Sequence, residues 1–253
     1  MGEKFAIITD IHGNSAALKA VLEDIKRDKD IGQIYCLGDM IAIGHETNQV
    51  LELLFSEKNI SFVMGNHEQS VLNIILGKPS HSQGIVQMHH EWIAKNLDEA
   101  YVERLANIPK QITTEIAGKK VLFLHYHLDC NNQFLPLDTD PTGPSLEKIY
   151  ENTDVDLVCF GHHHTIHHFS SKSRMYLNPG PLGCSHKPLA PYGTIEIGEN
   201  GQVNVHIKEV PYDNRAFLKS IFETKYPAYE TVLEVFYGNQ HIPLVEEEEV
   251  NSK

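Results

Sequence analysis

Phe5-Ala6-Ile7-Ile8 runs through Thr9 into Asp10-Ile11-His12, and this stretch decides the fold. Four apolar, aromatic or β-branched residues closed by polar ones read as a short buried strand. The pattern recurs. Ile34-Tyr35-Cys36-Leu37 leads to Gly38-Asp39, and Phe62-Val63-Met64 leads to Gly65-Asn66-His67. Val121-Leu122-Phe123-Leu124 leads to His125, and Leu157-Val158-Cys159-Phe160 leads to Gly161-His162-His163-His164. Five strands thus end in residue types that bind metal, and the carboxyl ends of neighbouring strands can converge on one point.

Working outward, Asn14 to Arg27 reads as a helix, with Ala17, Leu18, Val21, Leu22 and Ile25 at helical spacing and Asn14 or Ser15 as N-cap. A second helix is expected over Thr47 to Lys58. Strand, helix, strand, helix favours parallel pairing and an α/β fold. Glu68 to Leu105 reads as mainly helical with a break near Gly77-Lys78-Pro79-Ser80. Further strands are expected at Gln111 to Ile116, Arg174 to Leu177, Thr194 to Ile197 and Val203 to Val210. Leu128 to Gly143 reads as a long polar loop. A helical extension, about 212–240 and broken at Pro227, precedes an acidic tail. Without an internal repeat or low-complexity linker, residues 1–253 are expected to form a single domain.

The 253 residues carry a formal net charge of −13, with four negatives in Glu246 to Glu249 and about −9 on the rest. An acidic surface disfavours duplex nucleic acid, whose phosphates need cations, but permits small anionic substrates if bound metal reverses the local sign. Sixteen histidines are the compositional outlier. Cys36 and Cys159 fall within strands as small core residues, while Cys130 and Cys184 fall in loops, and no disulfide framework is suggested. No signal peptide and no apolar run of the roughly 18–20 residues that span a bilayer is present, so a cytoplasmic location is expected.

In Asp10-Ile11-His12, an extended backbone would present both side chains to one side, as would the spacing of His162 and His164. Asp39, with two oxygens, is the natural bridge between two metals, and Asn66 and His125 add an amide oxygen and a nitrogen. Nitrogen and oxygen donors without thiolate suit Mn, Fe, Co, Ni or Zn. Two divalent ions against Asp10 and Asp39 would leave about +2 at the site.

The ordered series Asp10-x-His12, Gly38-Asp39, Gly65-Asn66-His67-Glu68, His125 and Gly161-His162-x-His164 resembles the calcineurin-like metallophosphoesterases, in particular their small bacterial phosphodiesterase branch. The resemblance spans Phe5 to about Ile197 and includes Leu177-Asn178-Pro179-Gly180-Pro181. It implies a four-layer α/β/β/α sandwich. It implies one metal, Mn or Fe foremost, on Asp10, His12, Asp39 and His164, and a second on Asp39, Asn66, His125 and His162. It also implies His67 as the catalytic contact to phosphate and a metal-activated water attacking phosphorus in line.

Departures from the family pattern bear on substrate. Met40-Ile41-Ala42-Ile43-Gly44 follows Gly38-Asp39 where the protein Ser/Thr phosphatases carry Asp-Arg-Gly, Tyr126-His127 stands where Gly is usual, and His45 stands where Pro is common. The expected activity is hydrolysis of phosphodiester or phosphoanhydride bonds in small nucleotide-like substrates. Asymmetric cleavage of diadenosine tetraphosphate to ATP and AMP is the leading specific form. Phosphomonoester or cyclic-nucleotide hydrolysis is the alternative, and a protein phosphatase or a non-enzymatic scaffold ranks below it. Asn14, His45 and His127 are candidate substrate contacts, with helix capping the competing role for Asn14. His163, His167 and His168 read as strand edge or loop, and Arg174, Lys172 and Lys187 as solvated basic side chains.

Overall fold

Successive residues of β1 (Glu3–Ile8) face opposite ways, and both faces are apolar, so the strand must be covered on both sides. The computed structural model describes residues 2–80, 82–171 and 173–245. The first sixty of these alternate as expected: β1, α1 (Ser15–Arg27), β2 (Ile31–Cys36), α2 (Thr47–Ser56) and β3 (Ile60–Phe62). Helices α3 (Asn66–Ile75), α4 (Gly84–Asn96) and α5 (Glu99–Ala106) follow. Next come β4 (Gln111–Ile116), β5 (Lys119–Leu124), α6 (Gly143–Ile149), β6 (Leu157–Cys159), β7 (Ile166–Ser170), β8 (Met175–Pro179), β9 (Leu189–Ile197) and β10 (Val203–Pro211). Helices α7 (Arg215–Thr224) and α8 (Tyr229–Thr231) and a π-helical turn (Val232–Phe236) follow β10.

Two five-stranded mixed sheets form, in the orders β10-β9-β1-β2-β3 and β4-β5-β6-β8-β7. β1, β2 and β3 are parallel in one sheet, and β5, β6 and β8 are parallel in the other. Phe5 and Ile7 of β1 meet Val121 and Phe123 of β5 in the core between the sheets, where Phe123 stacks on Tyr35 at 3.7 Å. Ala6 and Ile8 face outward onto the helices, with Val21 and Leu22 of α1 and Val50 and Leu54 of α2. Leu122 and Leu124 face outward from the second sheet onto Leu146 and Tyr150 at α6. The layers are therefore helix, sheet, sheet, helix: the α/β/β/α sandwich.

Two elements differ from the sequence reading, and a third, edge strand β7, decides between the strand edge and the loop read for His167 and His168. Helix α6 directly follows the expected loop, with Thr142 accepting from the Ser145 N–H as its N-cap and Pro144 in its first turn. The histidines at 167 and 168 lie in edge strand β7, whose alternating half-exposure gave no apolar run to detect. The C-terminal segment leaves α-helix for a π turn after Lys225 and Ala228, both at positive φ. Lys172 and the acidic tail lie outside the described residues. Among those described, no helix is long and apolar enough to cross a membrane and all four cysteines are free.

Candidate metal centre

Parallel strands put their carboxyl ends on one edge, and here those edges of both sheets meet. Asp10 N donates to the Gly38 carbonyl and His12 N to that of Asp39, tying the turns after β1 and β2 together. Gly161 N donates to the His125 carbonyl, tying the turns after β6 and β5. The extended Asp10-Ile11-His12 backbone expected from sequence is not what forms. Asp10 and His12 have φ of 54° and 50°, Asp39 50°, His162 71° and His164 51°. Left-handed backbone costs a non-glycine residue about 1 kcal/mol or more and concentrates at functional sites. Left-handed turns let each ligand residue point off its strand end while the chain reverses.

Two donor clusters result. In the first, His12 and His164 approach to 2.8 Å between Nε2 atoms, with Asp10 Oδ1 at 3.6 and 3.4 Å from them. In the second, His125 Nε2 lies 3.0 Å from Asn66 Oδ1, 3.1 Å from Asp39 Oδ2 and 3.2 Å from His162 Nδ1. Asp39 also groups with His12 and His67, with their ligand atoms all within 4.8 Å of one another. All seven residues expected as metal ligands thus come together around Asp39.

The donor set fits cations. His125 Nδ1 sits 2.8 Å from the Leu37 carbonyl and His12 Nδ1 3.3 Å from that of Ile41. A carbonyl only accepts, so each Nδ1 carries the proton and each Nε2 offers a lone pair. His125 Nε2 then faces an amide oxygen, a carboxylate oxygen and an imidazole nitrogen. Acceptors converging on a neutral ring nitrogen inside a protein are held only by a proton or a metal cation between them. Burial opposes charge on His125, but Asp39 outweighs it and raises the ring to about 9. Burial equally opposes the Asp10 and Asp39 carboxylates, yet the surrounding histidines hold both well below the usual range. Burial lowers His12, and takes His162 to about 4, keeping neutral rings available as ligands.

Other side chains set the clusters in place. Glu68, fully buried, accepts from the N–H groups of Asp39, Met40, Ile41 and Gly65 at 2.7–3.1 Å and fixes the turn after β2. Gly65 is required there, since a Cβ would collide with Asp39 Oδ1 and Oε2 of Glu68. Thr9 Oγ1 donates to Asp10 Oδ2 at 2.8 Å, and Asn178 donates to the Gly161 carbonyl at 2.8 Å. His67 stands over the centre with Nε2 3.8 Å from Asp39 Oδ2, while its Nδ1 is 2.7 Å from Nε2 of His90. His90 Nδ1 in turn meets Ser82 Oγ at 2.8 Å, and Ser82 meets Ser80 at 2.6 Å. The sequence reading missed His90 and Ser82. His90 sits on a helix whose amphipathic pattern explains a buried residue without reference to any site.

The three candidate substrate contacts lie elsewhere than on an open face. Asn14 is fully buried, caps α1 by accepting from Ala17 N at 3.0 Å, and donates to the Gly183 carbonyl. His127 is 1% exposed with Nδ1 bonded to the Tyr150 hydroxyl at 2.7 Å. His45 stacks between Phe217 and Tyr226. Arg174, read as solvated, is instead buried against Glu147 and the carbonyls of Tyr150 and Thr153.

Comparison with known proteins agrees with this geometry. Residues 4–200 match the family model of the calcineurin-like phosphoesterase superfamily domain. An uncharacterized protein of Methanocaldococcus jannaschii is 30% identical over 245 residues, 90% of this chain and 91% of its own. A metallophosphoesterase of Sphaerobacter thermophilus has the same fold, with a TM-score of 0.72 at 20% identity over 93% of this chain and 100% of that one. A shorter likeness, 32% over 72 residues, covering 28% of this chain and 26% of the relative, is to a symmetrical bis(5'-nucleosyl)-tetraphosphatase of Sodalis glossinidius. With its sandwich, its donor clusters and the matched stretch all in agreement, the chain belongs to the calcineurin-like phosphoesterase superfamily.

Proposed function

We propose that the chain is a dinuclear metal-dependent phosphoesterase that cleaves phosphodiester or phosphoanhydride bonds of small nucleotide-like substrates, in its specific form diadenosine tetraphosphate to ATP and AMP. The position of Asp39 between the two donor clusters carries this reading. Asp10, His12, Asp39 and His164 would hold one ion, and Asp39, Asn66, His125 and His162 the other. Ions there supply Lewis acidity toward phosphate oxygens and acidify water, whichever of Mn, Fe, Zn, Co or Ni is present.

The protein's own contribution is proton placement. Burial lowers both His67 and His90, so both rings are neutral and each carries one proton. If Ser82 donates to His90 Nδ1, then His90 Nε2–H donates to His67 Nδ1 and the His67 proton rests on Nε2, toward the centre. Such an N–H can hydrogen-bond a phosphate oxygen and protonate a leaving oxygen. Glu68 and the left-handed turns hold the acceptors in place before substrate arrives.

Purified protein supplied with Mn²⁺ should release ATP and AMP from diadenosine tetraphosphate. Two ADP, or no turnover beside active hydrolysis of bis-p-nitrophenyl phosphate, would overturn the specific substrate. Failure on both compounds and on phosphomonoesters and cyclic nucleotides would overturn the phosphoesterase reading.

A further inference from the structure

A cavity of about 390 Å³ opens beside the first donor cluster, and His164 and Cys184 form its inner wall. The same two residues lie with His12 in one group of ligand atoms within 4.8 Å, so the cavity is continuous with the candidate metal centre. Its aromatic wall is Phe236, whose ring stands 5.7 Å from that of His164. Ile166 and Val235, 46% and 55% exposed, stand at its sides as apolar residues without cover. Glu209 of β10 adds a carboxylate, and no Lys or Arg is among the described lining residues.

We propose that this cavity is a nucleobase subsite, taking an adenine-like base with an exocyclic amine while the attached phosphate lies at the metal centre. The inference rests on the phosphoesterase reading and names the substrate class for that site. A cavity with one aromatic wall and exposed apolar side chains suits a base, which stacks on aromatic side chains whatever its sequence context. The Glu209 carboxylate and the absence of Lys and Arg among the described lining residues disfavour a second phosphate and favour a hydrogen-bond donor such as an exocyclic amine. Apolar and aromatic side chains with a few convergent polar groups are the usual composition of a ligand site.

The construction of the wall also singles it out. Glu209, Val235 and Phe236 all lie after residue 200, beyond the stretch that matches the family model. Phe236 ends the π-helical turn, an irregularity frequent at functional sites. The turn is fastened to the loops of the centre: Tyr226 donates to the Ile43 carbonyl at 2.6 Å and Tyr237 to that of Gly183 at 2.9 Å. His186 Nε2 donates to the Val235 carbonyl at 2.9 Å, and Gly238 gives that ring room. These contacts bind the extension rigidly beside His164.

The test compares adenosine 5'-(p-nitrophenyl phosphate) with methyl p-nitrophenyl phosphate, which share a leaving group and differ only in the retained group. With Mn²⁺ present, Phe236→Leu and Phe236→Ala should each lower kcat/KM about ten-fold on the adenosine ester, as loss of one base stack does, and less than about two-fold on the methyl ester. Glu209→Ala should weaken the adenosine ester but not its thymidine counterpart, which lacks an exocyclic amine. By calorimetry on the Mn²⁺-loaded protein, AMP should bind tighter than inorganic phosphate, and Phe236→Leu should weaken AMP alone. Equal losses on both esters, or equal binding of AMP and phosphate, would overturn the subsite. If the wild type cleaves neither ester and none of the compounds named above, the phosphoesterase reading fails, and AMP binding still decides the subsite.

Discussion

Two polar clusters in this molecule, one where α6 packs on the β7–β8 hairpin and one at the strand ends where both sheets meet, are built on opposite rules. Around Glu147 every acceptor has a donor. Its carboxylate accepts from Ser171 and Ser173 at 2.6 Å, from the Tyr176 hydroxyl at 2.8 Å and from Arg174 at 3.1 Å. Around Asp39 and His125, acceptors face acceptors. The first cluster is complete by itself and ties α6 to the β7–β8 hairpin. The second is complete only with a proton or a metal ion on His125 Nε2. Mismatch of donors and acceptors, and not the density of charge, is what separates a candidate metal centre from a structural ion pair.

Changing the shared residue of the unmatched cluster should have the largest effect. Asp39→Asn should reduce kcat/KM about 10³-fold or more and lower bound metal measured by mass spectrometry. Full activity and metal content in that variant would break the contrast. Next comes the response to metal itself. Saturating Mn²⁺, at about one hundred times its dissociation constant, should stabilise the wild type by about 2.7 kcal/mol, read as a rise in Tm that a chelator reverses. The same rise should survive in Glu147→Gln, whose cluster takes no ion.

A smaller effect is expected at His90. His90→Ala removes the partner of His67 Nδ1 and should lower kcat about ten-fold with KM little changed, while metal content stays at the wild-type level. Loss of metal instead would move His90 from proton placement to the ligand shell.

The smallest effect tests the matched cluster. Glu147→Gln should leave activity unchanged and lower Tm by about 2–4 °C at pH 7, the size expected for about 1 kcal/mol in a chain of this length. The hydroxyl donors and Arg174 hold the Glu147 carboxyl down to about 2, below its ordinary 4.5. A depressed folded value means the stabilisation is complete above the unfolded value and is lost as pH falls from about 4.5 toward 2. The wild type and the variant should therefore converge in Tm across that window.

Legibility in the sequence followed the strength of local pattern. Residues Phe5 to Ile8 and Val121 to Leu124 are apolar on both faces, so strands buried on both sides could be read directly. The candidate ligand residues could be read because each follows such a run. Strand β7 could not be, since Ile166-His167-His168-Phe169-Ser170 is an edge with half-exposed polar residues. Nor could the backbone at Asp10 and His12: two-residue spacing suggests extension, whereas the required turns after both residues are left-handed.

The sequence by itself determined the strand cores and the order of candidate ligand types at their ends, because burial on both faces imposes continuous apolar runs and leaves polar residues only where strands stop. Only the tertiary structure decided which acceptors face one another, that His90 and Ser82 stand behind His67, and that Phe236 of the π-helical turn stands beside His164. Those outcomes depend on contacts between residues far apart in the chain, for which no local periodicity exists.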